Sequence, residues 1–296
     1  MILLCEPNVS EGRDTASIDA LTEAVRSAGV ELVHSSADPD HNRMVLAYRG
    51  LPDAVVEATT RLATEAFARI DLTRHEGQHP RIGALDVVPF VAERHEPDRH
   101  AAALEACRAF GARVGAGGVP VFYYEDAATA PHRCPLPAVR SGGFEGLADK
   151  MASDKWRPDE GPSLPHPAAG AVIAGVRPPL VRFNVNLADP DVETARAIAS
   201  AIRASSGGLT GVRALGLTLS HRGLTQVTMN LTDYHTTSLA RVYEEVATRA
   251  FAVGVGIVGT EVIGPIPRAA LAGVGADILD DLDPNQILEP AEDETG

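Results

Sequence analysis

The sequence is poor in cysteine, in aromatic residues and in long apolar runs. Its three cysteines, Cys5, Cys107 and Cys134, are far apart and form no CxxC pair, which argues against a thiolate zinc site and against a secreted disulfide framework. Aromatic residues make up only 4% of a chain that is 45% hydrophobic, so we expect an aliphatic core. Free buried thiols in a reducing compartment follow from this cysteine pattern.

Basic residues are few as well. The chain has 26 Lys and Arg against 40 Asp and Glu, for a net charge of −14. Nucleic-acid surfaces need clustered positive charge, so no nucleic-acid partner is expected, and an anionic substrate would need local Arg or His groups. The apolar run 2–5 is too short for a signal peptide or a membrane span. We therefore expect a cytoplasmic protein without a membrane partner.

The sequence does contain an alternation of short apolar segments and amphipathic ones, which indicates strands and helices respectively. In the first part of the chain this pattern predicts strands at 2–5, 30–34, 44–48, 86–91 and 119–124 and helices at 14–27, 52–70 and 97–114. In the second part it predicts strands at 180–187, 212–220, 225–231 and 257–263 and helices at 191–204 and 237–253. Each part reads β-α-β-β-α-β, and the first has an appended α-β. This order predicts an α+β chain of two ferredoxin-like (split βαβ) subdomains, 1–178 and 179–296, with helix-covered sheets and a cleft between them.

Between the two patterns lies a Pro/Gly-rich stretch from about residue 129 to 179. Connections of this length are uncommon unless they are functional or linkers, and we interpret this one as a loop that covers the cleft. The acidic end, 280–296, is interpreted as a solvated tail.

The segment His75-Glu76-Gly77-Gln78-His79 matches the H-E-x-x-H pattern of zinc proteases, which requires a helix to place both imidazoles on one face. Gly77 weakens a helix at that point, and Pro80 pushes His79 toward an extended conformation. We therefore favour a shaped loop over a zinc site, with no metal. A His in such a loop can serve proton transfer, or it can hydrogen-bond a loop carbonyl.

Several motifs, taken in order, resemble the formiminotransferase domain family. They are CEPNVSEGRD (5–14), DHNRMVLAYRG (40–50), RHEGQHPRIGALDVVPF (74–90), VPVFYYEDAA, LPAVRSGGFEGL, GPSLPHPAAGA and FNVNL. The resemblance covers nearly the whole chain. It implies two α/β subdomains around a folate-binding cleft, homo-oligomers (we expect a homodimer), no metal, and small-molecule substrates.

The resemblance implies transfer of a formimino group from N-formimino-L-glutamate to N5 of tetrahydrofolate, a co-substrate, in histidine degradation. It places the catalytic proton carrier at His79. The folate-contacting loop falls on Gly161 to Gly170, and we name from it Gly161, Pro162, Ser163, Leu164, Pro165, His166 and Gly170.

Simple chemistry agrees with a His in this role, because an imidazole with a pKa near ~6.5 can both take and give a proton near neutral pH. Arg43 and Arg81 are candidates for binding glutamate carboxylates, or are structural ion-pair partners. Asn8, Ser10 and Glu11 form a tight polar turn after a strand; these residues line the cleft, or Ser10 simply caps the turn. His41 orients substrate, pairs with Asp40, or is a solvated loop residue.

The chain departs from the family pattern in three places. Gln78 stands where a Glu usually precedes the catalytic His, His34 and Ser36 stand where acids are common, and Ala168-Ala169 stands where an aromatic is common. Two alternatives therefore stay open. One is a related folate-dependent enzyme with another formyl or formimino donor, and the other is a non-catalytic folate-binding protein.

Overall fold

The computed structural model describes residues 1–189, 191–220, 222–279 and 282–288. The chain divides into two compact units, Met1–Pro178 and Pro179–Gly296, and each combines a sheet with packed helices, which confirms the α+β class. The acidic tail predicted over 280–296 lies outside the described residues, apart from 282–288. Within the described ranges, no helix is long and apolar enough to cross a membrane.

The strands of the first unit are β1 (Leu3–Cys5), β2 (Asn8–Val9), β3 (Glu31–Asp38), β4 (Arg43–Gly50), β5 (Leu85–Val91), β6 (Val121–Glu125) and β7 (Val172–Arg177). Its helices are α1 (Thr15–Arg26), α2 (Pro52–Arg69), α3 (Pro97–Ala116), α4 (Leu136–Arg140) and α5 (Leu147–Met151). Strands β3 and β4 are longer than predicted, so only a tight turn joins them.

In the sheet of this unit the order is β3-β4-β1/β2-β5-β7-β6. Strands β1 and β2 both pair antiparallel with β4 and with β5. The last part is parallel, because β7 pairs parallel with both β5 and β6. The residues that follow β1 therefore lie between the ends of β4 and β5.

Helices α1, α2 and α3 cover one face of this sheet. Asp14 caps α1 by accepting from the Ala16 amide, and such a cap stabilises a helix by ~1 kcal/mol. The three helices bury a mainly aliphatic core against β1, β4 and β5 that includes Leu21 and Leu62, with a few aromatic side chains such as Phe110. The predominance of Val, Leu and Ala in this core follows from the scarcity of aromatic residues.

The stretch 129–179 is not a structureless loop, and this part of the prediction was wrong. It contains α4, α5 and the central strand β7, whose six residues are all buried. Side chains of α4 and α5, among them Val139, Leu147 and Met151, pack on Ile173 on the opposite face of the sheet. Flanking prolines and glycines hid this strand in the sequence, because a fully buried strand has no polar alternation.

The second unit contains β8 (Val181–Leu187), α6 (Val192–Ile202), β9 (Val212–Leu219), β10 (Leu224–Leu231), α7 (Leu239–Ala252) and β11 (Ile257–Val262), followed by the short strands β12 (Ile266–Pro267) and β13 (Ile287–Leu288). The main sheet has the order β11-β8-β10-β9 and all its pairs are antiparallel. Asp191 and Ser238 cap α6 and α7. Both helices pack on alternate strand residues such as Phe183, Val185 and Val227.

Candidate active site

The HEGQH segment is a loop fixed against the turn between β3 and β4. Asn42, at a φ of +46°, accepts a hydrogen bond from the Gly12 amide at 2.9 Å and donates to the Glu76 carbonyl at 2.9 Å. A Cβ on Gly77 would lie 2.4 Å from the His41 carbonyl oxygen. Glycine is needed at 77 because the two backbones approach so closely there.

His75 supports this loop. The 3-10 turn Leu72–Arg74 ends before it, and the residues that follow are not helical. Its Nε2 donates to the Asn42 carbonyl at 3.0 Å and its Nδ1 accepts from Arg81 Nε at 2.9 Å, so both ring nitrogens are engaged. Burial lowers the pKa of His75. No group of three or more potential metal ligands exists among the described residues.

His79 is half-buried, and its Nδ1 lies 2.8 Å from the Pro80 carbonyl oxygen. A carbonyl oxygen only accepts, so Nδ1 carries the proton and Nε2 holds the lone pair that can take another. Burial lowers the pKa of His79 well below its usual value, and the positive charges of Arg43 and Arg140 lower it further. The imidazole is therefore neutral at pH 7.

The two arginines share one buried carboxylate. Asp86 is fully buried, and its Oδ2 accepts from Arg43 Nη1 at 3.0 Å and from Arg140 Nη2 at 2.8 Å. Burial raises the pKa of Asp86, but the two guanidinium groups more than offset this, and the net shift is downward. Asp86 thus joins two guanidinium groups whose positive charges both act on the His79 imidazole.

Arg43 is held on its other side by Asn8, whose Oδ1 accepts from Arg43 Nε at 3.1 Å. Asn8 lies on β2, Arg43 begins β4 and Asp86 lies on β5. The sheet order therefore brings Arg43 to Asn8, 35 positions away, and to Asp86, 43 positions away. The sequence had named Asn8 and Arg43, and the structure places them in one hydrogen-bonded group.

Arg81 already has partners. Its Nη2 donates to Glu145 at 2.8 Å and to the His75 carbonyl at 3.0 Å. The Arg81 side chain is 12% exposed, whereas that of Glu145 is 67% exposed. The turn after α4 thus brings Glu145 to Arg81, while Arg140 at the end of α4 reaches Asp86.

The 161–170 loop is anchored to the segment that follows His79. The amides of Leu72 and Ala84 donate to the carbonyls of Ala168 and Ala169, both at 2.9 Å, and Gly170 bridges to Gly83. His166 Nδ1 accepts from the amides of Ala168 and Ala169, which leaves the proton on Nε2. The first half of the loop, 161–164, is exposed.

The departure at Ala168-Ala169 has a packing reason. Ala169 is fully buried and belongs to the core under α2 and α3, so its side chain makes no part of an exposed surface. His41 Nδ1 lies 3.9 Å from Asp38 Oδ1, and the His41 ring centroid is 6.2 Å from that of His79.

The sequence analysis missed Asp86, Arg140 and Glu145. Asp86 stood within the GALD motif as a polar residue in an otherwise apolar strand, which was an available signal for a buried charge. Arg140 and Glu145 lie 54 and 64 residues from their partners, and no local pattern predicts such pairs.

Comparison with known proteins agrees with the motifs. The family model "Formiminotransferase domain, N-terminal subdomain" matches residues 2–177 and the model "Formiminotransferase domain" matches residues 182–283. The chain therefore belongs to the formiminotransferase domain family.

Its relatives include proteins named glutamate formimidoyltransferase. The one from Streptococcus pyogenes is 40% identical over 97% of this chain and 97% of its own length, and the one from Thermoplasma acidophilum is 38% identical over 96% and 95%. A formimidoyltransferase-cyclodeaminase from Dictyostelium discoideum is 37% identical over 90% of this chain but 51% of its own length. The family and the enzyme type predicted from the motifs are confirmed.

Proposed function

We propose that this chain transfers the formimino group of N-formimino-L-glutamate to N5 of tetrahydrofolate, with His79 as the general acid and base. Full-length similarity to two glutamate formimidoyltransferases supports the reaction. The observation that carries the role of His79 is its fixed tautomer, with Nδ1 donating to Pro80 and Nε2 left as a base.

The reaction requires two proton movements. N5 of tetrahydrofolate attacks the formimino carbon to form a C–N bond, and its proton passes to His79 Nε2. The imidazolium then protonates the glutamate nitrogen as the bond from that nitrogen to the formimino carbon breaks. One proton is taken and one is returned, so the enzyme ends unchanged.

The lowered pKa of His79 favours protonation of the glutamate nitrogen more than it favours removal of the proton from N5. A weakly basic imidazole becomes a strong acid once it is protonated, which favours protonation of the leaving amine. General acid-base catalysis of this kind typically contributes ~10² to 10⁴ in rate, and positioning of the two substrates supplies the rest.

Arg43 and Arg81 are proposed to bind the glutamate carboxylates. Support comes from the effect of Arg43 on the pKa of His79, and from the ion pair of Arg81 with the exposed Glu145. The Glu145 side chain is on the exposed side of this pair, so a substrate carboxylate can replace it at Arg81. Asn8 is proposed to position Arg43.

The loop 161–170 is proposed to contact tetrahydrofolate. The exposed Gly161, Pro162, Ser163 and Leu164 offer backbone and apolar surface to a flat ring, and Leu164 is 73% exposed. Pro165 and Gly170 shape the hairpin, and His166 presents its Nε2–H as a donor.

The domain organisation, the fold of each domain, the location and the assembly of the chain belong to the same proposal. We infer that 1–178 and 179–296 are the two formiminotransferase subdomains. Each is proposed to be ferredoxin-like, which the β-α-β-β-α-β order and the β11-β8-β10-β9 sheet support. A cytoplasmic homodimer is the proposed working form.

The test is a coupled assay of the purified chain with tetrahydrofolate and three donors, namely formiminoglutamate, formylglutamate and formate with ATP. We expect turnover with formiminoglutamate alone. Turnover with another donor only would favour the related folate-dependent enzyme. Tetrahydrofolate binding without any turnover would favour the non-catalytic folate-binding protein.

A further inference from the structure

Arg81 forms a bidentate carboxylate site that a side chain of the same chain occupies. Its Nη2 donates to Glu145 Oε1 at 2.8 Å and its Nη1 donates to Glu145 Oε2 at 3.3 Å. On the other side, its Nε donates to His75 Nδ1 at 2.9 Å and its Nη2 to the His75 carbonyl at 3.0 Å. His75 therefore fixes the plane of the guanidinium, and the outer edge formed by Nη1 and Nη2 is preformed for a carboxylate.

The two partners of this ion pair differ in their access to water. The Arg81 side chain is mostly buried, whereas that of Glu145 is exposed. A mostly buried guanidinium is costly to leave without a counter-ion, but an exposed carboxylate can leave the pair and be hydrated. The hydrogen bonds from Arg81 lower the pKa of Glu145, so Glu145 is ionised at pH 7. Glu145 is therefore the partner that another carboxylate can displace.

The turn between α4 and α5 is shaped to bring Glu145 to Arg81, which is 64 positions away in the sequence. Gly143 in this turn has a φ of +63°, which favours glycine. A Cβ at 143 would lie 2.9 Å from Glu145 Oε2, so any side chain there would crowd the carboxylate. Glycine at 143 thus both permits the turn and leaves room for the contact with Arg81.

Lys150, on α5, fixes the same turn from the side of α4. Its Nζ donates to the carbonyls of Ala138 and Val139, both at 2.6 Å, and to that of Ser141 at 3.0 Å. The ammonium also lies 4.0 Å from the centre of the Trp156 ring, a favourable cation–π arrangement. Burial lowers the pKa of Lys150 to about 8, which leaves it mainly charged at pH 7. The turn is therefore a fixed base, and rotation of the Glu145 side chain alone can open the site at Arg81.

We propose that Glu145 is an internal competitor of the donor substrate, whose carboxylate occupies Arg81 in the free enzyme until a carboxylate of formiminoglutamate displaces it. This inference rests on the proposed function, in which Arg81 binds the donor. Only a ligand that carries a carboxylate can replace Glu145 without leaving the guanidinium unpaired, so the exchange selects acidic donors over neutral ones. The exchange also weakens the apparent affinity for the donor, because the site is open in only a fraction of the molecules.

The first experiment measures this competition without turnover. Binding of L-glutamate, the amine product of the proposed reaction, to the full chain is measured by calorimetry at pH 7. If Glu145 occupies Arg81 in about half to four fifths of the free molecules, Glu145→Gln should lower Kd by ~2- to 5-fold. Asp149→Asn is the matched control, because it removes an equal charge from an exposed position of the neighbouring α5. It should leave Kd unchanged, which separates competition at Arg81 from general repulsion of an anion.

A double-mutant cycle shows whether Glu145 acts through Arg81. Arg81→Gln should bind L-glutamate more weakly than the wild type, and adding Glu145→Gln to it should give no gain. Arg81→Lys keeps the charge but not the paired donors and serves if Arg81→Gln does not fold; the gain should then be smaller than in the wild type. An unchanged or higher Kd in Glu145→Gln, an equal fall in Asp149→Asn, or a full gain without Arg81 would overturn the inference.

The second experiment separates this inference from the proposed function. In the assay with formiminoglutamate and tetrahydrofolate, Glu145→Gln should lower KM for formiminoglutamate by the same ~2- to 5-fold, with kcat and KM for tetrahydrofolate unchanged. A merely structural Glu145 would instead raise KM or lower kcat when it is replaced, and that result would overturn the inference while leaving the proposed function intact. Absence of turnover in the wild type would reject the proposed function, while the glutamate titration would still decide the role of Glu145.

Discussion

The Nδ1 atom of His79 lies 2.8 Å from the carbonyl oxygen of Pro80, the next residue in the chain. This contact fixes one tautomer, in which Nε2 is the only ring nitrogen able to accept a proton. A backbone carbonyl here takes the place that a carboxylate takes in many histidine-based sites, as the acceptor that fixes the tautomer.

The pH dependence of kcat/KM should report a weak base. In the proposed mechanism His79 acts when neutral, so activity should fall as the pH drops through its pKa. That pKa lies well below 6.5 because burial, Arg43 and Arg140 all disfavour the imidazolium. Initial rates at limiting substrate should therefore show an acid limb with an apparent pKa below 6.5. An acid limb with an apparent pKa at or above 6.5 would contradict the electrostatic description of the site.

Asp86 should be essential to stability as well as to the site. Asp86→Asn leaves two guanidinium groups without their buried carboxylate, and breaking a buried pair typically costs ~3 to 5 kcal/mol. Glu57→Gln is the matched control, because Glu57 also contacts two arginines, Arg61 and Arg113, but at a surface where its side chain is 44% exposed. There we expect a loss of ~0 to 1 kcal/mol. Urea unfolding measures the free energy of unfolding of both variants. Equal losses in the two variants would show that the Asp86 carboxylate is no more important to stability than an exposed one.

Gly77 should be intolerant of even a methyl group. Gly77→Ala places Cβ against the His41 carbonyl at 2.4 Å, so the loop must shift, at a cost of ~1 to 3 kcal/mol. A displacement near 1 Å can lower activity by ~10². Gly259→Ala is the control, because a Cβ there meets nothing within 4 Å. Activity and thermal unfolding of both variants check this, and a fully active Gly77→Ala would show that the loop is not tightly constrained.

The thiols should differ in reactivity. Burial raises the pKa of Cys5 to about 12 and raises that of Cys107 as well, and the thiolate is the reactive form. Cys134 is only partly buried. A chromogenic disulfide reagent should label one of the three thiols in the native chain, all three after denaturation, and none in native Cys134→Ser. Rapid native labelling of Cys5 would contradict the core described here.

The sequence predicted the elements well where local patterns are strong. The hydrophobic periodicity and the residues typical of helix ends located α1, α2 and the β9–β10 pair within a few residues. Gly77 and Pro80 correctly indicated that no helix runs through His79. The strand β7 was missed because its six residues are buried on both faces and have no alternation. Arg140 was missed as a site residue because its pairing with Asp86 depends on the path of the whole connecting segment, which only the tertiary structure defines.

The most direct test of the central claim compares wild type, His79→Ala and His95→Ala in the formiminoglutamate–tetrahydrofolate assay. His95 is a matched control in the same unit, and its side chain is 79% exposed. We predict that kcat/KM falls by ~10² to 10⁴ in His79→Ala, with tetrahydrofolate binding retained, and that it is unchanged in His95→Ala. Wild-type turnover in His79→Ala would contradict the account.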